Sequence, residues 1–349
     1  MKSAIRNFWP AAALVLLAFC STGAFAHDDA IREKISHLAS EDLRIPSDTP
    51  GIELFLRNKR AKEGTASADH VLLYVHGATY PSETAFDLRL DGMSWMDYIA
   101  AQGWDVWLVD LRGYGRSTRP PEMDKAAKDS APLVTTDVAV RDVGTAVDYI
   151  LKRRGVSKLS LLGWSWGTSI MGTYAAANNA KVDKLVLYAP LWLRNTPLLI
   201  GGDGPLGAYR TVTKEGAKKR WHTGVPEDKL AGLIPAGWFE TWADATWTTD
   251  PNSKDAGLLR APNGVIQDVR DYWASGKTYY DAANIRVPTL LIKAEWDQDT
   301  PTYMAQALFA RLTSTPMKRY VEIGEGTHTV IMEKNRMQLF REVQLFLED

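Results

Sequence analysis

Cysteine is almost absent from this 349-residue chain: Cys20 is the only one. A disulfide framework and a zinc–cysteine site are thereby excluded. No block of like charge stands out. Lys and Arg number 41 against 42 Asp and Glu, a formal net charge of −1, so no nucleic acid or anionic membrane is indicated as a partner. Nor does any stretch reach the roughly 18 apolar residues that a membrane-spanning helix needs, so no stable membrane insertion is expected. There is no tandem repeat, no dinucleotide fingerprint and no Walker loop, and no His/Asp spacing suggests a metal site. The expectation is therefore an absence of both cofactor and metal. What remains is 45% hydrophobic, enough for a large core in one enlarged domain or two.

Residues 1–26 read as a signal peptide. Lys2 and Arg6 form a positive start, Pro10 to Phe19 is a short apolar run, and Ala24-Phe25-Ala26 offers small residues for cleavage after Ala26. The competing reading is an uncleaved interfacial anchor. A lipoprotein is set aside because Phe19 stands before Cys20, where a small residue is required. Cleavage removes Lys2, Arg6 and Cys20, leaving a thiol-free chain of net charge −3. Such a chain is expected to be secreted or periplasmic, and oxidising surroundings pose it no hazard.

Residues 27–50 are polar with a weak helical pattern and are expected to pack on or near the domain surface. Ile52–Leu56 alternates like a half-buried strand. Val71–Val75 is a near-continuous apolar run, the mark of a strand buried on both faces of a parallel sheet. Strands then alternate with helices. Val106–Val109, Leu159–Leu162, Leu185–Tyr188, Thr289–Ile292 and Tyr320–Ile323 read as strands. Thr136–Arg154, Gly167–Asn178, Met304–Leu312 and Met337–Leu347 read as helices. This rhythm predicts an α/β fold, a mostly parallel central sheet with right-handed crossovers, flanked by helices. Residues 191–284 break it. They hold six of the 13 tryptophans (Trp192, Trp221, Trp238, Trp242, Trp247, Trp273) and read as a helical cap inserted before a core strand, with 27–190 and 285–349 as the core.

Gly163-Trp164-Ser165-Trp166-Gly167 matches G-x-S-x-G between a strand and a helix. A serine on so sharp a turn projects its hydroxyl above the sheet. The glycines let strand and helix approach, and the helix N-terminus favours developing negative charge. Ser165 is the candidate nucleophile; an ordinary serine in a glycine-rich turn is the bland reading. Of six histidines, His328 in Gly324-Glu325-Gly326-Thr327-His328 follows a late strand, where sites of α/β folds gather. It is the candidate general base. The acid should leave the strand Thr289–Ile292, and Glu295, Asp297 and Asp299 compete there. Asp297 is favoured because it stands at the strand exit, four residues before Pro301; Asp299 is the fallback and could instead cap the next helix. The acid would fix the imidazole tautomer and stabilise the imidazolium.

The order Ser165, Asp297, His328, the turn around Gly163–Gly167 and the His76-Gly77 turn together resemble the α/β-hydrolase superfamily. The likeness covers residues 52–190 and 285–348. Its esterase and lysophospholipase-like branch fits best, because Asp110-Leu111-Arg112-Gly113-Tyr114-Gly115-Arg116-Ser117 looks like that branch's D-x-R-G-x-G-x-S loop, here read as a structural turn. The resemblance implies an oxyanion hole from the backbone N–H of Trp166 and of Ala78, after the His76-Gly77 turn, with His76 structural. Epoxide hydrolases and haloalkane dehalogenases of similar architecture carry aspartate at the elbow, unlike Ser165. The expected function is hydrolysis of a small-molecule ester with an apolar or aromatic moiety. Trp164 and Trp296 are candidate substrate-binding residues, although either could equally be packing. The enzymatic alternative is a proline-releasing aminopeptidase, or an amide or lactone hydrolase. A proline-releasing aminopeptidase would need cap carboxylates, for which Glu215, Glu227 and Glu240 are candidates. A non-catalytic binder of the same fold is the reading from another class.

Overall fold

A computed structural model describes residues 30–349 other than 65, 203 and 254–256. The expected signal peptide lies outside the described residues. Ten strands are described: β1 Leu38–Pro46, β2 Glu53–Ala61, β3 Val71–Val75, β4 Asp105–Asp110, β5 Leu159–Trp164, β6 Val182–Tyr188, β7 Tyr209–Thr213, β8 Leu258–Pro262, β9 Thr289–Ala294 and β10 Lys318–Ile323. Eight of them form one sheet in the order β1-β2-β4-β3-β5-β6-β9-β10. From β4 to β10 every neighbouring pair is parallel; β2 runs antiparallel to both β1 and β4.

Helices cover both faces, which explains the uninterrupted apolar runs: every residue of β3, β4, β5 and β9 is buried. On one face the helices Thr136–Arg154 and Trp166–Ala177 pack Val143, Val147, Ile170 and Met171 against the sheet. The former stops where Gly155 takes a left-handed φ of 66°. On the other face Trp95, Ile99, Phe340 and Val343 come from the helices Trp95–Ala100 and Arg336–Glu348. No helix among the described residues is long and apolar enough to cross a membrane.

Two expectations need correction. The polar leader supplies an edge strand, β1, paired along its length with β2. Asp42 pairs with Arg57 and Glu41 with Arg153, while only Leu43 and Ile45 turn to the core near its end, an alternation too short to stand out from the polar residues around it. In turn β2 becomes an interior strand, and Leu54, Phe55 and Leu56 are all buried rather than alternating. The Arg116 guanidinium lies 4.1 Å from the Phe55 ring centroid and covers that face.

The interval 191–284 carries helices at Lys214–Trp221, Leu230–Leu233, Trp238–Trp247 and Gly264–Asp271. It also contains an antiparallel strand pair, β7 with β8, that the helical expectation missed. Its tryptophans are packed. Trp242 meets Trp221 edge-on at 5.1 Å, Trp247 at 6.0 Å, and core residue Tyr80 at 4.7 Å.

Candidate active site

β5 ends at Trp164, and the next helix begins at Trp166. Ser165 between them has φ 58° and ψ −120°, a left-handed conformation that a side chain rarely adopts. The fold overdetermines it. Ser165 N–H donates to the Tyr188 carbonyl at 2.9 Å, and the Ser165 carbonyl accepts from the Thr168 N–H at 2.9 Å and its hydroxyl at 2.5 Å. A Cβ on Gly163 would stand 2.3 Å from the Gly167 carbonyl oxygen, and one on Gly167 would stand 2.7 Å from the carbonyl oxygens of Val75 and His76. Both positions therefore exclude side chains, and the strand–turn–helix closes tightly enough to lift Ser165 above the sheet.

His328 lies in the loop after β10, and its Nδ1 is 2.8 Å from Asp297 Oδ2. The histidine backbone is pinned as well: its carbonyl accepts from Trp164 Nε1 at 3.1 Å and from the Tyr188 hydroxyl at 2.9 Å. Asp297 accepts the Thr300 N–H at 2.8 Å and the Thr300 hydroxyl at 2.7 Å. Burial opposes ionisation of Asp297. The charge and hydrogen bond of His328, the Thr300 N–H and Lys293 outweigh it and hold the carboxyl below the usual carboxylate range. An ionised Asp297 calls for the proton on His328 Nδ1, which leaves Nε2 as the basic nitrogen.

Ser165 and His328 line one cavity with Gly77, Ala78, Tyr80 and Trp164, joined by Arg220, Trp221 and Trp242 from the interval 191–284. The open space is narrow, about 20 Å³. Trp166 is the first helical residue, so its N–H has no acceptor within the helix. The Gly77 carbonyl is bonded to His76 Nδ1 at 2.7 Å, and His76 Nε2 accepts the Leu111 N–H at 3.2 Å. Because a trans peptide points its C=O and N–H in opposite directions, this ring fixes the plane that carries the Ala78 N–H. Burial holds the imidazole neutral, its pKa lowered to about 4.

The remaining sequence candidates divide. Asp299 is not on the histidine and does not cap the helix Thr302–Arg311; it forms an ion pair with Arg220 at 2.8 Å. Trp164 is brought to the cavity, whereas Trp296 is not among the described residues lining it. Trp296 instead packs half-buried against the core, and its backbone N–H donates to the Gly326 carbonyl at 2.8 Å, which ties the Asp297 loop to the His328 loop. Glu215, Glu227 and Glu240 are exposed, and none lines the cavity. The Asp110–Ser117 loop is braced from within. Asp110 accepts the N–H groups of Ser82 and Arg116, and Arg112 pairs with buried Asp142.

Sequence reasoning missed Glu333. Fully buried, it accepts the Thr327 N–H at 3.0 Å, the Thr327 hydroxyl, and Nε1 of cap residue Trp221 at 2.7 Å. It thereby joins the cap to the residue preceding His328, and burial raises its pKa to about 7. Nothing local in Met332-Glu333-Lys334 signals this, because the partner that matters is 112 residues away.

The alpha/beta hydrolase fold family model matches residues 71–335. The chain is 27% identical over 175 residues to the protein named Probable lipase C1672.09 of Schizosaccharomyces pombe, covering 47% of this chain and 38% of that one. It is 32% identical over 124 residues to Serine hydrolase BPHL of Homo sapiens, covering 36% and 37% respectively. The chain thus spans under two fifths of the length of each of these curated relatives. A solved serine hydrolase involved in carbazole degradation (the CarC enzyme) superposes with a TM-score of 0.59 at 18% identity, over 89% of this chain and 99% of that one.

Proposed function

The chain belongs to the alpha/beta hydrolase fold family, and on that premise we propose that it is a serine hydrolase cleaving carboxylic esters through an acyl-enzyme on Ser165. The observation that carries this is the His328–Asp297 pair at 2.8 Å, with His328 facing the same narrow cavity as a serine held at φ 58°. His328 Nε2 takes the Ser165 proton as the oxygen attacks the ester carbonyl. The tetrahedral oxyanion is met by the N–H groups of Ala78 and Trp166. His328⁺ then gives its proton to the departing alkoxide, leaving acyl-Ser165 and a free alcohol. Water, deprotonated by His328, adds to the acyl group, and the acid leaves as Ser165 recovers its proton.

The aromatic lining by Tyr80, Trp164, Trp221 and Trp242 supports a small apolar or aromatic moiety at the scissile bond. The aminopeptidase reading draws no support from Glu215, Glu227 and Glu240, which lie outside the cavity. Export through cleavage after Ala26 is also part of the proposal, checked by the N-terminal mass of the protein recovered outside the cytoplasm. The catalytic reading is tested with p-nitrophenyl esters of graded chain length. Turnover is expected to peak at short chains and to fall by more than about 10³ in Ser165→Ala. Turnover unaffected by that change would place the chemistry elsewhere.

A further inference from the structure

A larger cavity of about 740 Å³ adjoins the catalytic one and shares Tyr80, Ala217 and Arg220 with it. That is ample for a small ligand. Leu199, Ile200, Leu206 and Val212 give it apolar wall. Lys128, Arg210 and Arg220 give it cations, and no Asp or Glu stands among the described residues lining it.

The two arginines differ in how their charge is met. Arg220 has Asp299 at 2.8 Å. Arg210, on β7, has no carboxylate partner among the described residues. It donates to the carbonyls of Pro262 and Ala78, both at 2.6 Å, and to the Thr79 hydroxyl at 2.9 Å, while its Nε is buried with no hydrogen-bond partner. Burial lowers its pKa to about 10, so it stays a cation at neutral pH. Folded proteins pair their buried charges. Among the described residues Arg210 is thus a guanidinium without a carboxylate, on the wall of a cavity that adjoins the one Ser165 lines, and its charge favours an anion there.

We propose that this cavity receives a carboxylate carried on an otherwise apolar arm of the substrate, making the preferred substrates carboxylate-bearing esters. The arm lies along Leu199, Leu206 and Val212, and its anion sits in the positive potential of Arg210 and Lys128. The proposal rests on the ester-hydrolase reading for the scissile bond but not for the binding of the anion.

Two matched pairs test it. On the acyl side, p-nitrophenyl hydrogen adipate is compared with p-nitrophenyl methyl adipate; on the alcohol side, 4-acetoxybenzoate is compared with methyl 4-acetoxybenzoate. In at least one pair kcat/KM for the acid should exceed that for the neutral ester about tenfold or more. Arg210→Gln should bring that ratio to about one. The ratio is the readout because Arg210 also holds the Ala78 carbonyl, so a purely structural loss would slow both esters alike. If Arg210→Gln does not fold, Lys128→Ala should lower the same ratio by a smaller factor. Calorimetric binding of adipate to Ser165→Ala, weakened at least tenfold by Arg210→Gln, reads the site without any turnover. Bound adipate with no ester turned over would remove the hydrolase reading and leave the anion site standing. Equal kcat/KM within both pairs, a preference untouched by Arg210→Gln and Lys128→Ala, or no adipate binding would each overturn the anion site.

Discussion

At the scale of residues, Ser165 and His328 could be singled out as candidates because each stands in a local context that constrains it. Ser165 has glycines at 163 and 167, with a strand before it and a helix after; His328 follows the last strand of the sheet. The carboxylate that meets His328 was less legible because three carboxylates fall within five residues, and what separates them is a side chain's direction. The N–H and hydroxyl of Thr300 draw Asp297 inward toward His328, while Arg220, 79 residues before Asp299, draws that carboxylate aside. Glu333 and Arg210 were illegible for the same reason, their partners lying 112 and 132 residues away. Glu333 has a consequence for stability. Its pKa is about 7 in the fold against 4.5 ordinarily. Between those values the folded protein holds a proton that the unfolded chain has lost, so stability falls as pH rises from 4.5 to 7. The fall amounts to about 3 kcal/mol at most. Glu333→Gln should flatten this slope, seen as a smaller change in urea midpoint between pH 5 and pH 7.5. An unchanged slope would show that Glu333 ionises freely in the fold.

At the scale of elements, interior strands declared themselves through unbroken apolar runs, and helices through spacing and stops such as Gly155. The edge strand β10 was read as well, but β1 and β7 were not. β1 exposes much of its surface and is held by backbone pairing and ion pairs, while β7 is short and polar. Both are defined by a partner strand rather than by their own pattern. The elbow depends on the opposite quality, a backbone contact too close for a side chain. Gly163→Ala would drive its methyl into the Gly167 peptide, 2.3 Å away. It is expected to cost about 3 kcal/mol or more and to inactivate whatever protein still folds, as measured by thermal unfolding and ester turnover. A stable, active Gly163→Ala variant would mean that the turn relaxes without disturbing Ser165.

At the scale of the whole molecule, the interval 191–284 and the rest of the fold meet beside the cavity that Ser165 and His328 line. Arg210 holds the Ala78 carbonyl, and Trp221 holds Glu333 beneath the histidine loop. Lys229 reaches Glu325 of that same loop at 2.7 Å. A segment expected only to cover the pocket therefore also braces both sides of it. Trp221→Phe keeps the ring and removes the donor. It should lower stability by about 1 kcal/mol and reduce kcat more than it raises KM, since the change loosens His328 rather than the substrate. Equal kcat with a raised KM would make Trp221 a wall of the pocket and nothing more.

The central claim is that Ser165 is a nucleophile activated by the His328–Asp297 pair, and it can be tested without knowing the natural substrate. The protein is treated with a fluorophosphonate, and the adduct is located by peptide mass spectrometry. One phosphonyl group per chain is expected, on Ser165, with the labelling rate reduced by about 10³ or more in Asp297→Asn. Labelling at another residue, or Ser165 labelling as fast in Asp297→Asn as in the parent, would contradict the account.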